Sequence, residues 1–177
     1  MPESLIDKQS ESGIPWASSG SWQAANQAVD YHLQRYRADL KPLSIIAQEI
    51  KALLNSFFPI LDERCSHSCP WCPEPCCLNA SVWFDFKDLL FLHFNHLSIL
   101  PAQPKADLKT PCRYLGPRGC RLPRIARPWI CTWYLCPTQT AKLKNGEAHK
   151  YEFIVHTIAQ IKSGRNLLEN EFIRIIS

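Results

Sequence analysis

Residues 65–77 read Cys65-Ser66-His67-Ser68-Cys69-Pro70-Trp71-Cys72-Pro73-Glu74-Pro75-Cys76-Cys77. Five of the nine cysteines of the chain fall in this run, interleaved with three prolines. Proline removes a backbone donor, fixes φ and pushes the preceding residue out of the helical region. Pro70, Pro73 and Pro75 together therefore predict an irregular loop over residues 60–80. Thiolates two and three residues apart on such a loop can face one centre, as in zinc knuckles and cluster-binding loops. Disulfides are the other use of dense cysteine.

Outward from this run the pattern becomes helical. Upstream, Trp22, Ala25, Val29, Leu33, Tyr36 and Leu40 recur at three- and four-residue steps, with Ser21 as the expected N-cap. A second stripe, Leu43, Ile46, Ile50, Leu53 and Phe57, follows Pro42 and is expected to end at Pro59. Downstream, Val82, Phe84 and Phe86 alternate with polar neighbours and predict a short strand. A helix is expected over Asp88 to Leu97, then a second proline-rich loop over residues 101–137. From about Glu147 a stripe of Tyr151, Ile154, Ile158, Ile161, Leu168, Phe172 and Ile175 is helical, with Gly164 as an expected break.

The expected fold is mainly α: a small helical domain with two Pro/Cys-rich metal-binding loops and at most a short β element. Residues 1–20, polar and rich in Ser and Glu, read as a flexible N-terminal arm, and residues 21–177 as one domain. At 177 residues and 46% apolar composition the chain can bury a core without staples. The cysteines are thus not needed to rescue a minimal fold.

Met1 to Gly13 has no continuous apolar stretch and does not read as a secretory signal. The longest apolar run, Leu89 to Leu92, is too short to span a bilayer. The expected compartment is the reducing cytoplasm, where thiols stay free or metal-bound, and an odd cysteine count disfavours a pure disulfide framework. The net charge of +4 is mild. Arg113, Arg118, Arg121, Arg124 and Arg127 nevertheless share one stretch without an acid. They read either as a solvated loop or as compensation for thiolate charge. Nucleic acid is disfavoured because no recognition module accompanies them. No carboxylate pair, nucleophile–base pair or phosphate loop points to a reaction. A protein partner and the oligomeric state stay open.

The remaining cysteines form two spaced pairs. Cys112 and Cys120 lie in PCRYLGPRGC, where Gly116 and Gly119 allow a tight turn, and Cys131 and Cys136 lie in RPWICTWYLCP. His67 lies among the thiols and reads as a polar loop histidine, with ligation as the alternative. Trp71, Trp129, Trp133 and Tyr134 flank the cysteines and suit either cluster shielding or ordinary packing.

Cys65, Cys69 and Cys72, with an aromatic before the last, resemble the cluster loop of radical SAM enzymes. That family uses a repeated βα barrel, and the chain has no alternating strand–helix pattern. The order C-x2-C…CC, then P-C-x2-L-G…G-C, then R-P-x2-C-x4-C more closely resembles the YkgJ-type cysteine-cluster proteins, described as zinc- or iron-chelating domains. The match runs from Cys69 to Cys136. The resemblance implies metal ligation by Cys69, Cys72, Cys76, Cys77, Cys112, Cys120, Cys131 and Cys136. It implies an iron–sulfur cluster or zinc; eight thiols exceed one tetrahedral zinc site and lean the reading to iron–sulfur. The gap before Cys76 is one residue longer than the family pattern, and Thr132 stands where the family usually has Arg. Cys65 falls outside the pattern.

Overall fold

The computed structural model describes residues 13–177. Most of the arm expected over residues 1–20 lies outside the described residues. Of the remainder, Ile14 is fully buried, and the Pro15 carbonyl accepts a hydrogen bond from Gln103 Nε2 at 2.9 Å.

Helix α1 spans Ser19–Arg35, with Ser18 rather than Ser21 as its N-cap: the Ser18 hydroxyl accepts from the Ser21 N–H. A single turn, α2 (Arg37–Leu40), leads to α3 (Leu43–Ser68). Helix α3 does not end at Pro59 but runs on for nine residues, so the loop expected from residue 60 begins only at Cys69. Pro59 removes one backbone donor, which costs the helix one hydrogen bond. Burial of Phe57, Phe58 and Leu61 on either side of it offsets that loss.

The expected strand at residues 82–86 is not a strand. Val82 and Phe84 are buried in an extended segment whose partner is a side chain. Gln103 accepts from the Phe84 N–H at 2.8 Å and donates to the Phe84 carbonyl at 3.0 Å. One amide thus reproduces both bonds of a β-bridge. Helix α4 is a single turn, Cys76–Asn79, and α5 spans Phe86–Phe94. Helix α5 opens on a capping box in which Asp85 and Asp88 each accept the other's backbone N–H. In the second loop, β1 (Leu115–Gly116) and β2 (Gly119–Cys120) pair antiparallel. Then follow α6 (Trp129–Trp133), α7 (Pro137–Gly146), which the sequence reading missed, and α8 (Ala148–Ile176).

The architecture is mainly helical, with α3 and α8 forming the most extensive pairing and α5 packed on α8 and α1. Phe172 of α8 is fully buried, its ring against those of His32, Phe86 and Phe94. No helix among the described residues is long and apolar enough to cross a membrane.

Gly164 does not split the C-terminal helix. A Cβ there would stand 3.1 Å from Ile50 Cγ1, so the missing side chain lets α3 and α8 approach closely. Gly164→Leu is therefore expected to destabilise the fold by about 1–3 kcal/mol through overpacking. Gly164→Ala should stay within about 1 kcal/mol of the parent, because better helix propensity offsets the tight contact. Urea titration of both variants reads the difference.

Candidate metal centre

The two loops meet at one end of the helices. Cys65 sits in the last turn of α3, and Cys69 caps it, its N–H donating to the Cys65 carbonyl. A 3-10 turn over Cys69–Trp71 follows. Buried Gln139 of α7 holds this corner, its Nε2 lying 2.6 Å from Ser68 Oγ, 3.3 Å from the Arg64 carbonyl and 4.0 Å from Cys69 Sγ. From the other loop, the β1–β2 turn leans on Cys69. Gly119 has φ +104°, and a Cβ there would lie 4.0 Å from Cys69 Cβ. Only glycine adopts that backbone conformation at no cost.

Lys105 ties the loops together from below. Its side chain is 1% exposed, and its ammonium donates to the carbonyls of Ala80 at 2.9 Å and Leu108 at 3.0 Å. Ala80 follows the first cysteine run, and Leu108 precedes Cys112.

Helix α6, which carries Cys131, is held by a buried ion network. Asp88 Oδ1 accepts from the Trp129 N–H at 3.1 Å and from Arg165 Nη1 at 2.8 Å, while Arg165 Nη2 donates to Asp85 Oδ1 at 2.8 Å. The Arg165 guanidinium also stacks 5.2 Å from the Trp129 ring. Burial pushes the Asp88 carboxyl up to about 7, against the opposing pull of Arg165.

All nine cysteines are free thiols. Their electrostatic neighbours cross the sequence. Cys77 faces Cys76, Cys120 and Cys131, and Cys131 in turn faces Cys120 and Cys112. Cys69 faces Cys65 and Cys76. Cys136 is the N-cap residue of α7, and Tyr134 faces both it and Cys76. Cys72 and Cys76 are exposed, and the other seven are half-buried. His67 points outward on the last turn of α3.

Of the arginines between the cysteines, two face sulfur. Arg124 is 7% exposed and lies against Cys65, and Arg127 faces Cys131 and opposes the burial that raises its thiol. Arg121 instead bonds the Arg113 carbonyl, and Arg118 is exposed. The aromatics divide as well. Trp129 and Trp133 pack on the core, whereas Trp71 is 84% exposed and shields nothing.

Among the described residues, no three Cys, His, Asp or Glu side chains stand in an arrangement that could hold a metal ion. Free thiols from two segments distant in sequence nevertheless lie within electrostatic reach of one another, with guanidinium groups near Cys65 and Cys131. The antiparallel β1–β2 pair is the only sheet among the described residues. Reading Cys65, Cys69 and Cys72 as a radical SAM loop thus finds no βα barrel there.

The thiols are not equivalent. Burial, reinforced by Cys65, raises Cys69 to about 11, and burial beside Cys120 and Cys112 raises Cys131 to about 12. The hydrogen bond between the adjacent thiols lowers Cys76 to about 6 and raises Cys77. In reduced, metal-free protein at pH 7, iodoacetamide should therefore alkylate Cys76 well before Cys69 or Cys131, because the thiolate is the nucleophile. Peptide mapping by mass spectrometry checks the order, and equal labelling of the three would refute it.

Two surface clefts lie along α7 and beside Trp129 of α6. One of about 450 Å³ is lined by Tyr134, Leu135, Pro137, Thr140, Ala141 and Lys144. The other, of about 250 Å³, is lined by Asp85, Lys87, Trp129, Lys162, Arg165 and Asn166. Compared with known proteins, the chain matches no family model, no curated protein and no solved structure, so its resemblance to the YkgJ-type cysteine-cluster proteins rests on the motif residues quoted above.

Proposed function

We propose that this protein binds metal through cysteine thiolates, as an iron–sulfur cluster or as zinc, in the reducing cytoplasm. The candidate ligands are Cys69, Cys72, Cys76, Cys77, Cys112, Cys120, Cys131 and Cys136. The observation that carries the reading is convergence. The first loop, which begins at Cys69, and the second, which carries Cys112, Cys120 and Cys131, meet through Gly119, Lys105 and the mutual neighbourhood of Cys77, Cys120 and Cys131. A chain that only needed to fill space would have no use for so many reduced thiols at one end of an already complete helical core. Iron–sulfur is favoured over zinc because the thiols outnumber the four ligands of one tetrahedral ion. The centre serves a structural or redox role.

Anaerobic purification with metal and sulfide analysis and a visible spectrum tests this. A brown protein with stoichiometric iron and sulfide is the expected result, and colourless protein with stoichiometric zinc would support the zinc form. Colourless protein that is purified without metal or sulfide and has its cysteines paired as disulfides would sink the proposal. Cys131→Ser is expected to release most of the bound metal at unchanged helical content by circular dichroism.

A further inference from the structure

Trp71 differs from the other five tryptophans of the chain. Those are buried or half-buried, whereas Trp71 is 84% exposed. Tryptophan is among the more buried residue types on average, and an indole left in water forgoes the gain of burial. This one is also held in place. It closes the 3-10 turn Cys69–Trp71, with Pro70 before it and Pro73 and Pro75 after it. Three fixed φ values leave the turn little freedom to lose when the indole meets another surface. Rigid aromatic anchors of this kind dominate the energetics of protein interfaces.

A matching concavity lies on the same corner of the molecule. The cleft of about 450 Å³ along α7 has Tyr134, Leu135, Pro137 and Ala141 in its wall and Lys144 toward the C-terminal end of the helix. That volume admits an indole. Gln139, between the lining residues Pro137 and Thr140, donates to Ser68 Oγ at 2.6 Å and to the Arg64 carbonyl at 3.3 Å, and Ser68 is three residues before Trp71. Projection and cleft therefore sit side by side, yet the indole does not fill the cleft of its own chain.

The charges agree with the shapes. Glu74, exposed and three residues beyond Trp71, joins none of the ion pairs among the described residues. Lys144 lies 4.8 Å from the Tyr151 ring centroid and likewise joins no ion pair among them. A projection and a cleft that adjoin on one chain but do not meet within it are self-complementary across a two-fold axis.

We propose that the occupant of the α7 cleft is Trp71 of a second copy of this chain. The protein is then a two-fold dimer with two reciprocal indole anchors, and Glu74 of each copy faces Lys144 of the other. This interface needs no metal and stands apart from the thiolate reading.

Sedimentation velocity of the full chain over a micromolar-to-millimolar series tests it, with reductant present so that exposed Cys72 and Cys76 form no intermolecular disulfide. Wild type is expected to pass from monomer to dimer. Trp71→Ala removes the anchor, and Ala141→Trp fills the cleft. Each should raise the dissociation constant by about 100-fold or more, because two anchors are lost per dimer. Both positions are exposed, and circular dichroism verifies that the fold survives. Glu74→Lys and Lys144→Glu should each weaken the dimer several-fold, and the double variant should regain most of the loss. A dimer that persists in Trp71→Ala or in Ala141→Trp would overturn the proposal, and a double variant without recovery would overturn the Glu74–Lys144 pairing. Wild type that stays monomeric throughout would also overturn it. Vesicle binding that is lost in Trp71→Ala would in that case assign the indole to a lipid surface instead.

Discussion

Arg165→Met is expected to lower the free energy of unfolding by about 3–5 kcal/mol, the usual cost of removing one partner from a buried ion pair. Arg165 is 4% exposed and Asp88 is 4% exposed, so the stranded carboxylate has no water to turn to. The loss should depend on pH in a defined direction. Burial already holds the Asp88 carboxyl up, at about 7, and Arg165 is the main influence opposing that rise. Without Arg165 the folded-state value climbs further above the unfolded value of about 4. A group raised in the folded state contributes its stability below the unfolded value and loses it as pH rises through the folded value. The variant should therefore lie closest to wild type near pH 4 and fall behind progressively through pH 7 and above. Urea titrations at pH 4.5, 6 and 8 measure this, and a gap that narrows toward high pH would refute it. Adding Asp88→Asn should restore part of the stability at pH 8, since a neutral amide leaves no stranded charge.

Gln103→Leu is the second large effect, expected at about 3–5 kcal/mol. The side chain is fully buried and satisfies three backbone groups: the Phe84 N–H, the Phe84 carbonyl and the Pro15 carbonyl. Leucine keeps the volume and orphans all three, at about 1–3 kcal/mol for each buried group left unpaired. The site-specific signature is amide hydrogen exchange. The Phe84 N–H should be strongly protected in wild type and exchange orders of magnitude faster in the variant. Unchanged protection would mean that the bond from Gln103 is not what holds the segment.

The helical faces were legible because burial repeats with the helical period: Trp22, Ala25 and Val29 in α1, and Ile154, Ile161, Leu168 and Phe172 in α8, are all buried. What failed was local grammar overruled by packing. Pro59 reads as a stop, but a single missing bond is small beside the burial of Phe57, Phe58 and Leu61. Gly164 reads as a break, but its role is to admit Ile50. The alternation at Val82 and Phe84 correctly signals an extended, half-buried backbone. Its partner is a glutamine amide nineteen residues on, which no periodicity reveals. Helix α7 was invisible because its stripe is short, with Gln139 and Leu143 its buried residues.

At the site, the sequence located the thiols and the proline-rich loops. It did not reveal which arginines face sulfur, because five in one stretch look alike and only tertiary packing turns Arg124 and Arg127 inward. Nor did it show Cys65 beside Cys69, since that depends on the helix surviving Pro59. A buried lysine bonded only to carbonyls, as Lys105 is, had no local signal at all.

The pairing of α3 with α8 also sets a timetable for synthesis. All nine cysteines precede α8, and α8 supplies both the apolar face that covers α3 and the Arg165 that holds α6 in place. Translation at roughly 5–20 residues per second leaves an interval of about 2–8 s between the last cysteine and the end of α8. During that interval the thiols are carried by a nascent chain whose core cannot close. Any shielding of those thiols from oxidation must therefore either wait for α8 or come from outside the nascent chain.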